Sequence, residues 1–158
     1  MSSRQRAYKV KANYDLPPFL KGCCKQDEYQ DWLGRKAATH RKRDLKRGNQ
    51  DEKATRKGYK QEIHRAVCDS NGLDYYTGEL LAWRLIGKYD NEKSRVGGRV
   101  YKKKLALLPT VDHVGDGLGA PAFRICSWRT NDAKNDLSED EFVDLCKAVV
   151  SHHRGSAG

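Results

Sequence analysis

The 158 residues carry 31 Lys and Arg against 21 Asp and Glu, a formal net charge of +10, with a mean hydropathy of −0.90. That length suits one small core with an appendage, or two very small domains. No apolar run is long enough to span a bilayer, and the polar start MSSRQRAYKVKANYD offers no export signal, so a cytoplasmic protein without a membrane partner is expected.

The charge is unevenly spread. Residues 1–60 hold 17 Lys and Arg and 7 Asp and Glu, while the remainder is balanced at 14 of each. Such asymmetry predicts a polyanion bound by the first region and different work done by the second. The five cysteines form no C-x-x-C pair and their number is odd, so neither a structural zinc nor a disulfide framework is expected. All five read as reduced and structural, Cys146 because it falls on an apolar helical face.

Along the chain, residues 1–25 read as an irregular arm containing Pro17-Pro18 and Gly22. Tyr29, Trp32, Leu33 and Ala37 recur at helical spacing from Asp27, and Gly48-Asn49 stops that helix. Its other faces carry Arg35, Lys36, Arg41, Lys42, Arg43, Lys46 and Arg47, with Asp44 the one acid in that run. Seven cations to one acid is too lopsided for salt-bridge lacing and predicts contact with DNA or RNA phosphates. Arg41, Lys42, Arg43 and Arg47 are the strongest candidates. Phosphate contacts give salt-sensitive affinity without reading bases.

A second helix is expected from an Asp51 N-cap, with Tyr59, Ile63, Ala66 and Val67 buried, ending at Asn71-Gly72. His64 beside that stripe reads as structural, and His40 reads as a bystander in the basic helix, with a phosphate contact as the alternative. Residues 73–105 hold a Thr77-Gly78 turn, an apolar cluster around Trp83 and a Gly97-Gly98 break. Leu107 to Val114 reads as a strand, followed by a glycine loop, a second strand Phe123–Cys126 and a helix Trp128–Asn135. Ser138-Glu139-Asp140-Glu141 is a capping box opening a last helix whose face is Phe142, Leu145, Cys146 and Val149. The tail His152-His153-Arg154 is expected to fray. The fold class is thus α+β, with a basic helical region over 1–48 and a second region over 49–158.

Strand, glycine loop, strand and helix, with Asp112-His113 ending the first strand and Asn131-x-x-Lys134 on the helix, resembles the HNH (ββα-metal) nuclease family over roughly residues 107–137. The turn from Cys68 to Gly78 extends the likeness weakly, and small phage and bacterial HNH proteins with a basic helical N-terminus are similar. The resemblance implies one Mg²⁺ or Mn²⁺ ion held by Asp112 and Asn131, with His113 as general base and Lys134 at phosphate. Asn135, one turn beyond Asn131, is the alternative ligand.

The residue types suit phosphodiester hydrolysis. A hard cation with oxygen ligands neutralises charge on the phosphoryl and leaving oxygens, and a neutral imidazole takes the proton of the attacking water. Neighbours on a regular strand point to opposite faces, so Asp112 and His113 can serve one site only where the strand ends.

Two departures from the family stand out. Ala122 occupies the register position where the family's middle asparagine braces the loop, and the cysteine pairs that hold a structural zinc in many members are absent. Packing by Trp83, Phe123 and Trp128 is expected to replace that zinc. The function implied is metal-dependent hydrolysis of DNA. The alternatives are a non-catalytic nucleic-acid-binding protein on the same scaffold, or an RNase. A symmetric homodimer would account for double-strand cutting, but no dimer seam is visible in the sequence.

Overall fold

The computed structural model describes residues 14–88 and 91–155. In chain order these form a 3-10 turn Pro18–Leu20, helix α1 Gln26–Lys46, α2 Arg56–Ser70, a 3-10 turn Trp83–Leu85, α3 Asn91–Lys104, strands β1 Pro109–His113 and β2 Phe123–Ser127, then α4 Trp128–Lys134 and α5 Glu139–Gly155. The class is α+β, as the sequence predicts. β1 and β2 form an antiparallel pair, and none of the described helices is long and apolar enough to cross a membrane.

α1 buries Tyr29, Trp32, Leu33, Ala37, His40 and Asp44. Those positions follow one helical stripe, so the face that starts aromatic ends polar. α1 packs on α2, and α2 on β2. The resulting core runs continuously from Tyr14 and Leu20 through Tyr29, Tyr59 and Ile63 to Val111, Phe123 and Ile125. The basic helix is therefore one wall of that core, which crosses residue 48. The part of the arm lying outside the described residues is 1–13. Tyr14 and Leu20, within the described part, are held: the Tyr14 carbonyl accepts from the side-chain amides of Gln26 and Gln30 at 2.8 and 2.6 Å.

Several local expectations are corrected. The N-cap of α2 is Thr55, whose hydroxyl accepts from the Gly58 amide at 3.0 Å, while Asp51 accepts from Lys53 in the preceding turn. Asn71 ends α2 in the left-handed region, φ +47°. The capping box at Ser138 and Glu141 forms, but α5 has no buried residue, and Leu145, Cys146 and Val149 are exposed. The apolar face of this helix is thus not packed into the core, and Cys146, expected as a structural residue on it, is exposed. Cys23 and Cys68 are likewise exposed, and Cys126 is buried. The tail expected to fray continues α5 to Gly155. Trp83 and Phe123 are buried as expected, Trp83 with its ring 5.8 Å from Trp32, whereas Trp128 is only half-buried.

The segment between α2 and β1 is anchored by Asp74, which is 2% exposed. Its Oδ2 accepts from the Ser127 amide (2.9 Å) and the Thr130 hydroxyl (2.8 Å), and its Oδ1 from the Tyr76 amide (2.8 Å). One carboxylate thus joins the turn carrying Tyr76 to the start of α4. Burial pushes this carboxyl up, but the hydrogen bonds outweigh it and hold it below the usual value. Hydrogen bonds to charged groups contribute about 1.5–3 kcal/mol each, so Asp74→Ala is expected to destabilise the fold by roughly 2–4 kcal/mol, measured by urea unfolding. Because the folded-state value is depressed, this contribution is full above the ordinary carboxyl range and disappears as pH falls through the depressed value. Asp74→Ala should accordingly flatten the acid limb of stability.

Candidate functional site

The hairpin register sets the site. Asp112 pairs with Arg124 and His113 with Phe123, and side chains of directly opposed residues share a face. Asp112 and Arg124 therefore stand on one face, His113 and Phe123 on the face toward α1 and α2. The alternation holds to the last residue of β1. Both residues border one cavity of about 920 Å³ beside the end of β1, lined also by Asn131, Lys134, Arg43, Arg47 and Arg124 and by the acidic 136–141 segment.

On the inner face, His113 Nε2 lies 2.8 Å from Asp44 Oδ2, and the two side chains are 9% and 1% exposed. The Tyr59 hydroxyl donates to the same oxygen at 2.5 Å. A carboxylate only accepts, so Nε2 carries the ring proton. His113 Nδ1 and Asp44 Oδ1 are buried with no hydrogen-bond partner. An unpaired buried polar atom costs on the order of 1–3 kcal/mol, which marks this pair as different from ordinary core. The His113 ring packs edge-on against Phe123, centroids 5.2 Å apart.

The loop after β1 closes over Asp44. Gly117 has φ +80°, and a Cβ added there would meet Asp44 Oδ1 at 2.7 Å. Glycine is needed here for both conformation and approach. The loop is held from outside the hairpin: the buried Asn49 side-chain amide donates to the carbonyls of Gly117 (2.7 Å) and Gly119 (2.9 Å).

On the outer face, Asp112 Oδ2 accepts from the Tyr76 hydroxyl at 2.6 Å, and Lys134 Nζ lies 3.4 Å from Oδ1. Burial and then the bond to Asp112 push the Tyr76 phenol above its usual value, so it remains the donor. Arg124 is tied to Glu139 at 2.5 Å and covers the Tyr75 ring at 4.2 Å.

Asp112, His113, Asn131 and Lys134 are brought together. Lys134 differs from expectation: it is buried against the Asp112 carboxylate, as a charge partner more than a free phosphate contact. Asn135 also differs. α4 ends at Lys134, and Asn135 turns to φ +51° as its C-cap, so it does not share a helix face with Asn131, though it borders the cavity. Of the seven cations, six on α1 and Arg47 as its C-cap, Arg43 and Arg47 reach the cavity. Lys36 is directed onto β1, donating to the Thr110 hydroxyl at 3.3 Å, and Arg41 donates to the Ala54 carbonyl at 3.1 Å. Both are partly buried, while Arg35, Lys42 and Lys46 are exposed. Asp44, Asn49, Tyr76 and Arg124 went unread. The phase of the α1 stripe, continued past Ala37, points to His40 and Asp44; nothing local marks the other three.

The donors can be tested against a hard divalent ion. A carboxylate offers about four lone-pair sites, and the two contacts to Asp112 leave room for a further ligand bond. The Asn131 side-chain amide also faces the cavity and makes no hydrogen bond among the described residues. Among those residues no group of three or more His, Cys, Asp or Glu is poised to hold a metal. The oxygen donors Asp112 and Asn131 are of the kind a Mg²⁺-type ion uses, since such an ion takes one or two protein ligands and completes its shell with phosphate and water. No family profile, curated protein or solved structure matches the chain.

His40, whose alternative reading is a phosphate contact, is buried between Phe123 and His113, and Arg43 donates to its Nδ1 at 3.0 Å. Burial and then the neighbouring Arg43 push it down to about 3. The unfolded chain takes this proton first, so stability should fall as pH drops below about 6.5 and continue falling toward about 3. Imidazole NMR at about pH 5 should find the ring neutral; a ring titrating near its ordinary value contradicts this packing.

Proposed function

We propose that the chain is a divalent-metal-dependent endonuclease of the HNH type, hydrolysing DNA phosphodiesters, with β1, the glycine loop, β2 and α4 as its ββα-metal core. The observation that carries this reading is the state of His113. Its Nε2 is engaged by a buried carboxylate, its Nδ1 is buried without a hydrogen-bond partner, and the residue lines the cavity that Asp112 and Asn131 also line. A bare imidazole nitrogen beside oxygen donors suits proton removal from water.

In this reading a scissile phosphate enters the cavity between Arg43 and Arg47 on one side and the end of β1 on the other. The two arginines lie four residues apart, Arg43 in the last turn of α1 and Arg47 at its C-cap, and hold the strand by its phosphates without reading bases. His113 Nδ1 accepts the proton of the attacking water. Asp112 and Asn131 would hold the divalent ion, which when bound supplies electrostatic stabilisation of the developing phosphoryl charge. Lys134 and Tyr76 keep the Asp112 carboxylate in place. The exposed Lys42 and Lys46 extend the positive surface for flanking phosphates.

The rival is a protein that binds nucleic acid on the same scaffold without cutting it. Both bind in a salt-sensitive way, so turnover separates them. Plasmid DNA should be nicked with Mg²⁺ or Mn²⁺ and protected by EDTA, and His113→Ala should lose on the order of 10²–10⁴ of the rate with its circular dichroism unchanged. Full activity in that variant contradicts the proposal. Arg43→Ala with Arg47→Ala should weaken binding and reduce the salt slope by roughly two. Parallel assays on RNA test the choice of substrate.

A further inference from the structure

We infer that Asp44 and Asn49, from α1 and the turn after it, are the positioning residues of this site. Asp44 fixes the His113 tautomer that leaves Nδ1 bare, and Asn49 holds the loop that packs over Asp44. Its effect on rate rests on the nuclease reading; the placement of the ring proton does not.

Three observations carry it. First, the other two described core-facing histidines have partners of a different kind. His64 is 2.7 Å from the Tyr29 hydroxyl at Nδ1 and 3.7 Å from Cys68 Sγ at Nε2, and His40 Nδ1 meets Arg43. Among these three, His113 alone is paired with a carboxylate through one nitrogen while the other nitrogen is buried and unpartnered. A histidine serving packing alone gains nothing from that arrangement. Second, Asp44 is itself fixed. Tyr59 donates to its Oδ2, and Gly117 presses on its Oδ1 so closely that no side chain fits. Third, the loop carrying Gly117 is bound by both carbonyls to Asn49, whose own amide donates to the Asp44 carbonyl at 3.0 Å. Asn49 and Asp44 thus form one unit around the loop. Ala122, within the hairpin, has no side-chain group able to brace anything; its carbonyl accepts from the Val114 amide and closes the loop.

The arrangement also joins grip to chemistry. Arg43 and Arg47, which border the cavity, and Asp44, which aims His113, lie within a little over one turn at the end of α1 and its C-cap. A strand pulling on α1 would shift the group that orients the base.

The test is the position of the ring proton. In metal-free protein labelled with ¹⁵N-histidine, at a pH well above the usual imidazole range, long-range ¹⁵N–¹H NMR should find His113 as the Nε2–H tautomer. Asp44→Asn should convert it to the other tautomer or a mixture, and should lower kcat for nicking by roughly 10²-fold with KM little changed. Asn49→Ala should broaden the Gly117–Gly119 amides and lower kcat by a smaller factor. Tyr59→Phe, which leaves the Asp44–His113 bond, should keep the wild-type tautomer and serves as the control for core disturbance. Wild-type His113 in the Nδ1–H form, or an unchanged tautomer in folded Asp44→Asn, overturns the inference. Should Asp44→Asn fail to fold, the wild-type tautomer still decides. A protein with the expected tautomers and no nicking activity would retain Asp44 as the orienting group and remove the nuclease reading.

Discussion

A hydrogen bond between His113 Nε2 and Asp44 Oδ2, 2.8 Å long and almost wholly shielded from water, links the end of β1 to a helix sixty-nine residues earlier in the chain. Much of the molecule is arranged around it. Tyr59 from α2 supplies the second donor to the same oxygen, Gly117 supplies a surface without a Cβ, and Phe123 supplies the wall against which the imidazole stands. Removing Asp44 from water is costly unless its oxygens are occupied. One oxygen takes two donors and the other is left bare, so part of that cost persists in the folded state. Residual strain of this type concentrates where a protein does chemistry.

The second constraint is the buried Asp74. The turn that delivers Tyr76 to Asp112 and the helix that delivers Lys134 and Asn131 to the cavity both hang on its carboxylate. The outer half of the site is thereby fixed to the hairpin through polar bonds, the inner half through the aromatic core. In the aromatic core, Trp83 meets Trp32 and Phe19 edge to face at 5.8 and 6.0 Å.

The hairpin, the helix after it, and the gathering of Asp112, His113 and Asn131 beside one cavity were legible because the elements that carry them are set by neighbours close in sequence. Strand alternation, glycine turns and a capping box are local signals. What stayed hidden depends on distant contacts. Asp44 sits in a run of cations and looks like a stray counter-charge until the helical phase from Tyr29 is carried on to residue 44. Asn49 looks like a helix stop, and only the folded loop makes it a brace. Lys134 was expected at phosphate because the Asn131-x-x-Lys134 spacing resembles the HNH family, yet it is buried against Asp112. The apolar stripe of α5 has helical spacing, but periodicity gives a face without saying what covers it, and in this structure Leu145, Val149 and Val150 remain exposed.

The account comes down to whether the carboxylate on the outer face of β1 and the amide on α4 take hold of the same cation. Diffraction from crystals soaked in Mn²⁺, collected for the manganese anomalous signal, addresses that directly. An anomalous peak with Asp112 and Asn131 oxygens at about 2.0–2.6 Å is the expected result. A well-occupied manganese elsewhere on the molecule, with none between those two side chains, contradicts it.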